Sequence, residues 1–68
     1  MIKKPKFKIG NKVFHITPES DCGVVLDVRF SYLTGLHEYY TTFAANTETL
    51  WYYEHELSDT KIYNSKTN

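Results

Sequence analysis

The feature that most constrains the fold is an eight-residue run, residues 23–30, in which apolar and polar side chains nearly alternate. Alternation with a period of two is typical of a β-strand, because successive side chains point to opposite faces of the sheet. The pattern therefore predicts a central strand that opens at Gly23. One face is predicted to carry Val24, Leu26, Val28 and Phe30, and the other Val25, Asp27 and Arg29.

The rest of the chain predicts further short strands rather than helices. No segment keeps a helical apolar period over about ten residues, whereas β-branched and aromatic residues form short runs between turn residues. Strands are predicted at residues 13–16, 23–30, 37–43, 50–53 and 61–63, with an extended piece at 7–9 and a 3₁₀ turn at 54–57. This pattern predicts an all-β fold, a small five-stranded antiparallel barrel whose closure removes exposed sheet edges.

The length of 68 residues allows one small domain. The chain has a single cysteine, so no disulfide cross-links this domain internally. A chain of this size buries only about 60% of its unfolded surface. Cys22 cannot form a disulfide within the chain, which fits a reducing cytoplasm. No apolar run is long enough to span a membrane, and the first residues do not resemble a signal peptide. We therefore expect a cytoplasmic protein with an aromatic core.

Both ends of the chain are predicted to lie outside the folded domain. Residues 1–6 are predicted to be a flexible basic arm, because Pro5 disfavours regular strand pairing there. Residues 64–68 are predicted to be a disordered polar tail. The folded domain is therefore expected to span residues 7–63.

Four short motifs follow one another along the chain in an order found in one class of small β-barrels. They are Phe7-x-Ile9-Gly10-Asn11-x-Val13, Gly23-Val24-Val25-x-x-Val28, Tyr39-x-Thr41-x-Phe43 and Leu50-Trp51-x-x-x-x-Glu56-Leu57. In these motifs the chain resembles the SH3-like barrels of the KOW and Tudor types, which occur in uncharacterised bacterial and prophage proteins. The resemblance implies that Leu57, after a short turn, plugs one end of the barrel. It also implies binding, since such domains bind RNA, DNA, ribosomal or polymerase surfaces, methylated side chains or other proteins.

Positive charge is concentrated near the N-terminus, although the net charge is zero. The first twelve residues contain five lysines and no acidic residue: Lys3, Lys4, Lys6, Lys8 and Lys12. The remaining residues include three basic and eight acidic side chains. The lysines could contact nucleic-acid phosphates, but a lysine-rich start also keeps a small domain soluble, and zero net charge opposes strong phosphate binding.

Consecutive aromatic residues predict the candidate binding face. Because a strand alternates, an aromatic run such as residues 51–53 must place at least one ring on each face of the sheet. If Leu50 and Tyr52 face the core, Trp51 faces outward. The predicted surface group is Trp51, Tyr53, Tyr40 and Phe14. Such a group can bind a protein, stack bases or hold a cationic group, or it can serve only to stabilise the sheet through cross-strand pairs.

The three histidines, His15, His37 and His55, do not predict a metal site. Their spacing matches no zinc-ligand pattern, and no second histidine completes a His-Glu-x-x-His helix. They are interpreted as surface or half-buried side chains. His15 shares the strand parity of Val13 and is a candidate core histidine with a hydrogen-bonded ring.

No other residue pattern predicts catalysis or a cofactor. Cys22 has no basic neighbour in sequence that would lower its pKa, and it is interpreted as a structural thiol. Glu54 and Glu56 are interpreted as carboxylates that face water at a strand end. The chain has no nucleophile elbow and no phosphate-binding loop. We therefore predict that it is not an enzyme and binds no cofactor.

Two functions remain open from the sequence. The first is a protein-binding or assembly module, including self-association, that uses the face around Trp51, Tyr53 and Tyr40. The second is a nucleic-acid-binding accessory domain in which the N-terminal lysines contact phosphates while aromatic rings stack bases. The acidic remainder of the chain favours the first.

Overall fold

The computed structural model of the chain describes residues 4–45 and 48–63. The elements are β1 (Lys12–His15), β2 (Cys22–Ser31), β3 (Leu36–Phe43), β4 (Leu50–Tyr53), a 3₁₀ helix (Glu54–Glu56) and β5 (Leu57–Ser58). The strands form one antiparallel sheet in the order β4-β3-β2-β1-β5. The prediction of an all-β, five-stranded antiparallel fold with a short 3₁₀ turn before the last strand is confirmed. No helix in the described ranges is long and apolar enough to cross a membrane.

The fifth strand lies earlier in the chain than predicted. It is Leu57–Ser58, which pairs with β1 through Phe14 opposite Ser58 and His15 opposite Leu57. Residues 61–63 form no strand. They contact the β1–β2 loop instead, where the backbone N–H of Glu19 donates to the carbonyl of Ile62 at 2.7 Å. Burial of Leu57 brings the chain back to the sheet at once after the 3₁₀ helix, which explains the shift.

The pairing leaves the sheet open at both sides. β4 and β5 are its two edge strands, and no hydrogen-bonded ladder joins them in the described part of the chain. The closure expected from the sequence is therefore not present as strand pairing. The edges differ in length: β5 has two residues, while β4 has four residues without a charge or a proline.

A β-bulge in β2 divides the alternating run that predicted this strand. Val25 is opposite Thr41, but the next pair along the ladder is Asp27 with Tyr40, so Leu26 is the extra residue. The bulge exchanges the two faces. Val25 is fully buried and Leu26 is 47% exposed, whereas Val28 packs on the core. The prediction that Val24 and Leu26 share a face with Val28 is therefore wrong.

One apolar core lies against the inner face of the sheet. It consists of Phe7, Val13, Val25, Tyr39, Phe43 and Leu57, with Val28 and Tyr52 packed against it. Phe7 belongs to no strand, and its ring contacts that of Tyr39 edge to face at a centroid distance of 5.2 Å. The predicted burial of Leu57 is confirmed, since it is only 3% exposed.

The N-terminal segment is attached to this core at Lys6. The backbone N–H of Lys6 donates to the hydroxyl of Tyr39 at 2.9 Å and to Glu54 Oε1 at 3.2 Å. The predicted flexible arm therefore ends in a residue with two hydrogen bonds. The rest of that prediction, for residues 1–3, and the predicted disordered tail, residues 64–68, lie outside the described residues.

Candidate functional site: an outer aromatic face

Strands β2, β3 and β4 bring aromatic and charged side chains together on the side of the sheet opposite the core. In the ladder, Tyr40 is opposite Trp51, and Glu38 is opposite both Tyr53 on β4 and Arg29 on β2. Directly opposite residues share a face. We call this group, Arg29, Glu38, Tyr40, Trp51 and Tyr53, the outer aromatic face.

Trp51 lies at the centre of the outer aromatic face and has a partner on each side. Its ring is 5.0 Å from that of Tyr40, with the two planes 34° apart. The guanidinium carbon of Arg29 lies 3.9 Å from the centroid of the Trp51 ring, which is a cation–π contact. Trp51 is therefore half-buried by neighbours of its own chain, and it keeps part of its surface for solvent.

Arg29 is oriented by an ion pair and still offers hydrogen-bond donors. Its Nε donates to Glu38 Oε1 at 2.6 Å. The Arg29 side chain is 55% exposed, whereas that of Glu38 is only 12% exposed. Since Glu38 engages Nε, the two terminal amino groups of the guanidinium remain available to an acceptor group. The pair thus fixes a donor group next to an indole ring.

Tyr53 extends the outer aromatic face toward the 3₁₀ helix. Its ring stacks on that of His55, with centroids 5.4 Å apart and planes 9° from parallel. A depression of about 190 Å³ runs between Arg29, Glu38, Trp51 and Tyr53. Its walls combine aromatic rings with one ion pair, which is the mixture of apolar anchors and oriented polar groups found in protein interfaces.

Phe14, the fourth predicted member of the aromatic group, is not part of this face. It lies on β1 opposite Cys22 and Ser58. In the sheet, β2 and β3 lie between β1 and β4, and neither ladder partner of Phe14 belongs to the outer aromatic face. The structure thus brings together Tyr40, Trp51 and Tyr53, but not Phe14.

The lysines are exposed but are not gathered at the aromatic rings. Lys4, Lys6, Lys8 and Lys12 all face solvent, and Lys3 lies outside the described residues. Lys12 opens β1, which does not pair with β4 in the sheet, and the ammonium of Lys6 lies 5.3 Å from the ring of the core residue Phe7. The combination of phosphate contacts with base stacking on Trp51 is therefore not preassembled.

The histidines are separated, and one is more buried than predicted. His37 is only 8% exposed and contacts the ring of Phe30 edge to face at 5.1 Å, so its placement at or near the surface was wrong. His15 is half-buried, and its Nδ1 accepts the backbone N–H of Thr17 at 3.1 Å. Within residues 4–45 and 48–63, no group of three or more His, Cys, Asp or Glu side chains could hold a metal ion.

The two glutamates differ from their predicted roles, and Cys22 is an exposed free thiol at the start of β2. Glu56 accepts the backbone N–H of Tyr53 at 2.8 Å. Glu54 accepts the hydroxyl proton of Tyr39 in a hydrogen bond of 2.6 Å. Both carboxylates therefore hold backbone or side-chain donors instead of only facing water.

The contact between Tyr39 and Glu54 changes the acidity of both groups. Burial, together with the hydrogen bond to Glu54, raises the pKa of Tyr39 to about 12. Burial also opposes ionisation of Glu54. The hydrogen bonds from Tyr39 and Lys6, with attraction to His37 and Lys6, outweigh it and hold the pKa of Glu54 below its ordinary value of 4.5. The ionised Glu54 thus joins the N-terminal segment to the core.

This link predicts a specific loss of stability in acid. Because the folded state lowers the pKa of Glu54, the stabilisation is fully present above pH 4.5 and is lost as the pH falls through the folded-state pKa. Glu54→Gln should reduce this fall in the free energy of unfolding at low pH, because a neutral amide oxygen still accepts a hydrogen bond from Tyr39 but does not titrate. Urea unfolding as a function of pH measures the effect, with Glu48→Gln at an exposed carboxylate as the control. If wild type and Glu54→Gln lose the same unfolding free energy on acidification, the prediction is wrong.

A second depression, of about 260 Å³, lies beside the β1–β2 loop and shares Tyr52 with the first as a lining residue. Its floor includes the rings of His15, Phe43 and Tyr52, which contact one another edge to face at 5.4–6.5 Å. At its rim, Glu19 already forms an ion pair with Lys61 at 3.4 Å. The rings therefore pack against one another and leave no slot between them for a ligand.

The tip of the β2–β3 hairpin, between the strands predicted at residues 23–30 and 37–43, carries exposed apolar residues. Tyr32 is 82% exposed and Leu33 is 95% exposed. Gly35 closes the turn with φ of +73°, a conformation that glycine adopts without strain. The sequence could have indicated this exposure, because both large apolar residues lie beside Thr34-Gly35 in a turn, where no strand face can cover them.

The chain was compared with protein-family models, with curated proteins and with solved structures, and none of the three comparisons gave a match.

Proposed function

We propose that this chain is a non-enzymatic, SH3-like interaction module that binds another protein through the outer aromatic face. The observation that carries the proposal is the arrangement around Trp51. Its indole lies between the ring of Tyr40 and the half-exposed guanidinium of Arg29. An ion pair with Glu38 orients that guanidinium. An oriented arginine beside tryptophan and tyrosine is the residue combination that most often dominates the binding energy of protein interfaces.

The strand arrangement supports the SH3-like part of the proposal. β4 ends on an aromatic residue, Tyr53, and is followed by a single 3₁₀ turn. The next residue, Leu57, enters the core, as in the barrels that the sequence resembles. A single cysteine, and hence no disulfide within one chain, supports a cytoplasmic location.

The alternative, binding of nucleic acid through the N-terminal lysines, has less support. Lys12 and Trp51 lie on strands separated by two others. The Trp51 ring is already covered on one side by Arg29, and the net charge of the chain is zero. Base stacking needs an open ring face next to a positive track along the backbone. A protein partner fits the mixed charge around Trp51 better.

The proposal predicts that Trp51→Ala abolishes partner binding while the chain stays folded. The loss of unfolding free energy should stay within about 1 kcal/mol, because Trp51 is only half-buried. The immobilised wild-type chain is first used to capture proteins from an extract of the cells that naturally produce it. Each captured protein is then purified, and its affinity for wild type and for each variant is measured. We expect a loss of at least about tenfold for Trp51→Ala. Tyr63→Ala, at an exposed tyrosine outside the face, is the control and should change affinity less than about twofold.

A mixed-sequence oligonucleotide provides the competing measurement. Tight binding of the oligonucleotide that weakens steeply with salt and with Lys8→Ala or Lys12→Ala, but not with Trp51→Ala, would replace this proposal by the nucleic-acid alternative. The fluorescence of Trp51 gives an independent readout. Its emission should move to shorter wavelength when the partner covers the ring, and unchanged emission in the complex would place the interface elsewhere.

A further inference from the structure

The edge of the sheet at β4 has hydrogen-bonding groups without a strand to receive them. Within residues 4–45 and 48–63, β3 is the only strand that pairs with β4. The β4 sequence, Leu-Trp-Tyr-Tyr, has high β propensity and contains no proline or charge. Natural proteins usually protect edge strands by shortening, charge, proline or a bulge. The other edge, β5, has such protection because it is only two residues long.

The hydrogen bond from Tyr53 to Glu56 shows which groups of β4 point outward. The backbone N–H of Tyr53 donates to Glu56 Oε1, so it points away from β3. Backbone groups alternate in direction along a strand, so the N–H and C=O of Trp51, two residues earlier, point outward as well. Tyr40 opposite Trp51 is then a non-hydrogen-bonded pair, which agrees with the close approach of their rings. Since Glu56 engages Tyr53, the outward pair of β4 that no residue in 4–45 or 48–63 engages belongs to Trp51.

We propose that the partner strand for this edge is β4 of a second copy of the chain. The two strands run antiparallel with Trp51 opposite Trp51, and the backbones of these residues exchange both hydrogen bonds. In this register Leu50, which is 47% exposed at the inner side of the edge, lies opposite Tyr52 of the second copy. The inference rests on the proposed function, since the pairing joins two outer aromatic faces into one surface across the twofold axis.

Three properties favour a second copy as the occupant. The edge is complementary to itself, because one outward donor and one outward acceptor on Trp51 match the same pair related by a twofold axis. The net charge of zero provides no long-range repulsion between copies. The strand is short, so the interface is small and falls in the class of weak, concentration-dependent complexes.

The test uses the purified full chain, with two matched leucines as sites of substitution. Leu50 at the edge and Leu26 at the bulge are each 47% exposed. Sedimentation from about 10 µM to about 1 mM should show a reversible dimer of the wild type. Leu50→Lys places a charge at the paired edge and should weaken the dimer at least about tenfold. Leu26→Lys, on a strand in the middle of the sheet, should weaken it less than about twofold.

Amide hydrogen exchange tests the register. The Trp51 amide should exchange more slowly as the protein concentration rises, whereas the Tyr53 amide, already bonded to Glu56, should not respond. A monomer throughout this range, or a dimer that Leu50→Lys leaves intact, would overturn the inference. So would a Trp51 amide that is protected only by a different protein, which would assign the edge to a foreign strand. None of these outcomes affects the Trp51→Ala test of partner binding, so the two proposals can fail separately.

Discussion

Leu57→Ala is expected to lower the free energy of unfolding by about 2–5 kcal/mol, which would leave much of the protein unfolded at room temperature. Leu57 is almost completely buried among Val13, Tyr39 and Phe43. It also begins β5, the strand that closes the chain onto β1. Truncation therefore removes apolar contacts and creates a cavity at the point where the last strand is held.

The total stability of such a chain makes this loss decisive. A single core in a domain of this size rarely provides more than roughly 3–5 kcal/mol. Urea unfolding followed by circular dichroism measures the change. Leu33→Ala, the same substitution at a residue that is almost fully exposed, is the matched control and should stay within about 0.5 kcal/mol. A shift that small for Leu57→Ala would show that the core does not depend on this side chain.

The strands were predictable from the sequence where a local signal was strong. β4 is Leu50–Tyr53, as predicted, and the 3₁₀ helix follows it directly. Local propensity of β-branched and aromatic residues is enough to mark such runs. β5 was misplaced because a strand of two residues has no periodicity to detect, and its position depends on the burial of Leu57 against distant residues.

The bulge at Leu26 could not be predicted from β2 alone. Residues 24–28 read Val-Val-Leu-Asp-Val, and the three consecutive apolar residues interrupt the alternation without showing which residue is the extra one. The extra residue is defined by the ladder with β3, which pairs Val25 with Thr41 and Asp27 with Tyr40. Because the side-chain period is two, this one residue exchanges the faces of the strand on one side of the bulge. Long-range pairing, not local pattern, decides which valine is buried.

The outer aromatic face was predictable in part, for the same physical reason. Strand parity places Trp51 and Tyr53 on one face of a four-residue strand, and β4 contains no bulge to change that. Parity does not reveal the neighbours on other strands. The contact of Arg29 with Trp51 and the bond of Tyr39 to Glu54 join residues from different strands and turns, so only the tertiary fold brings them together.

Gly23→Ala is the second substitution with a large expected effect, about 1–3 kcal/mol of lost stability. Gly23 is opposite Val13 on one side and Phe43 on the other. A Cβ atom at this position would lie 2.7 Å and 2.8 Å from two ring carbons of Phe43 and 2.9 Å from the carbonyl oxygen of Thr42. Real Cβ atoms do not approach other atoms so closely, so either the ring or the backbone must move.

Neither movement is easy, because the Phe43 ring is itself held by its neighbours. It is buried and contacts Tyr52 edge to face at 5.4 Å, so displacing it disturbs the core as well as the ladder between β2 and β3. Urea unfolding measures the loss, with Cys22→Ala at the adjacent exposed position as the control. In a Phe43→Leu background, Gly23→Ala should cost less, because the ring that it displaces is gone. An equal cost in both backgrounds would assign the effect to the Thr42 carbonyl, and no cost in either would show that the sheet accommodates a methyl group at Gly23.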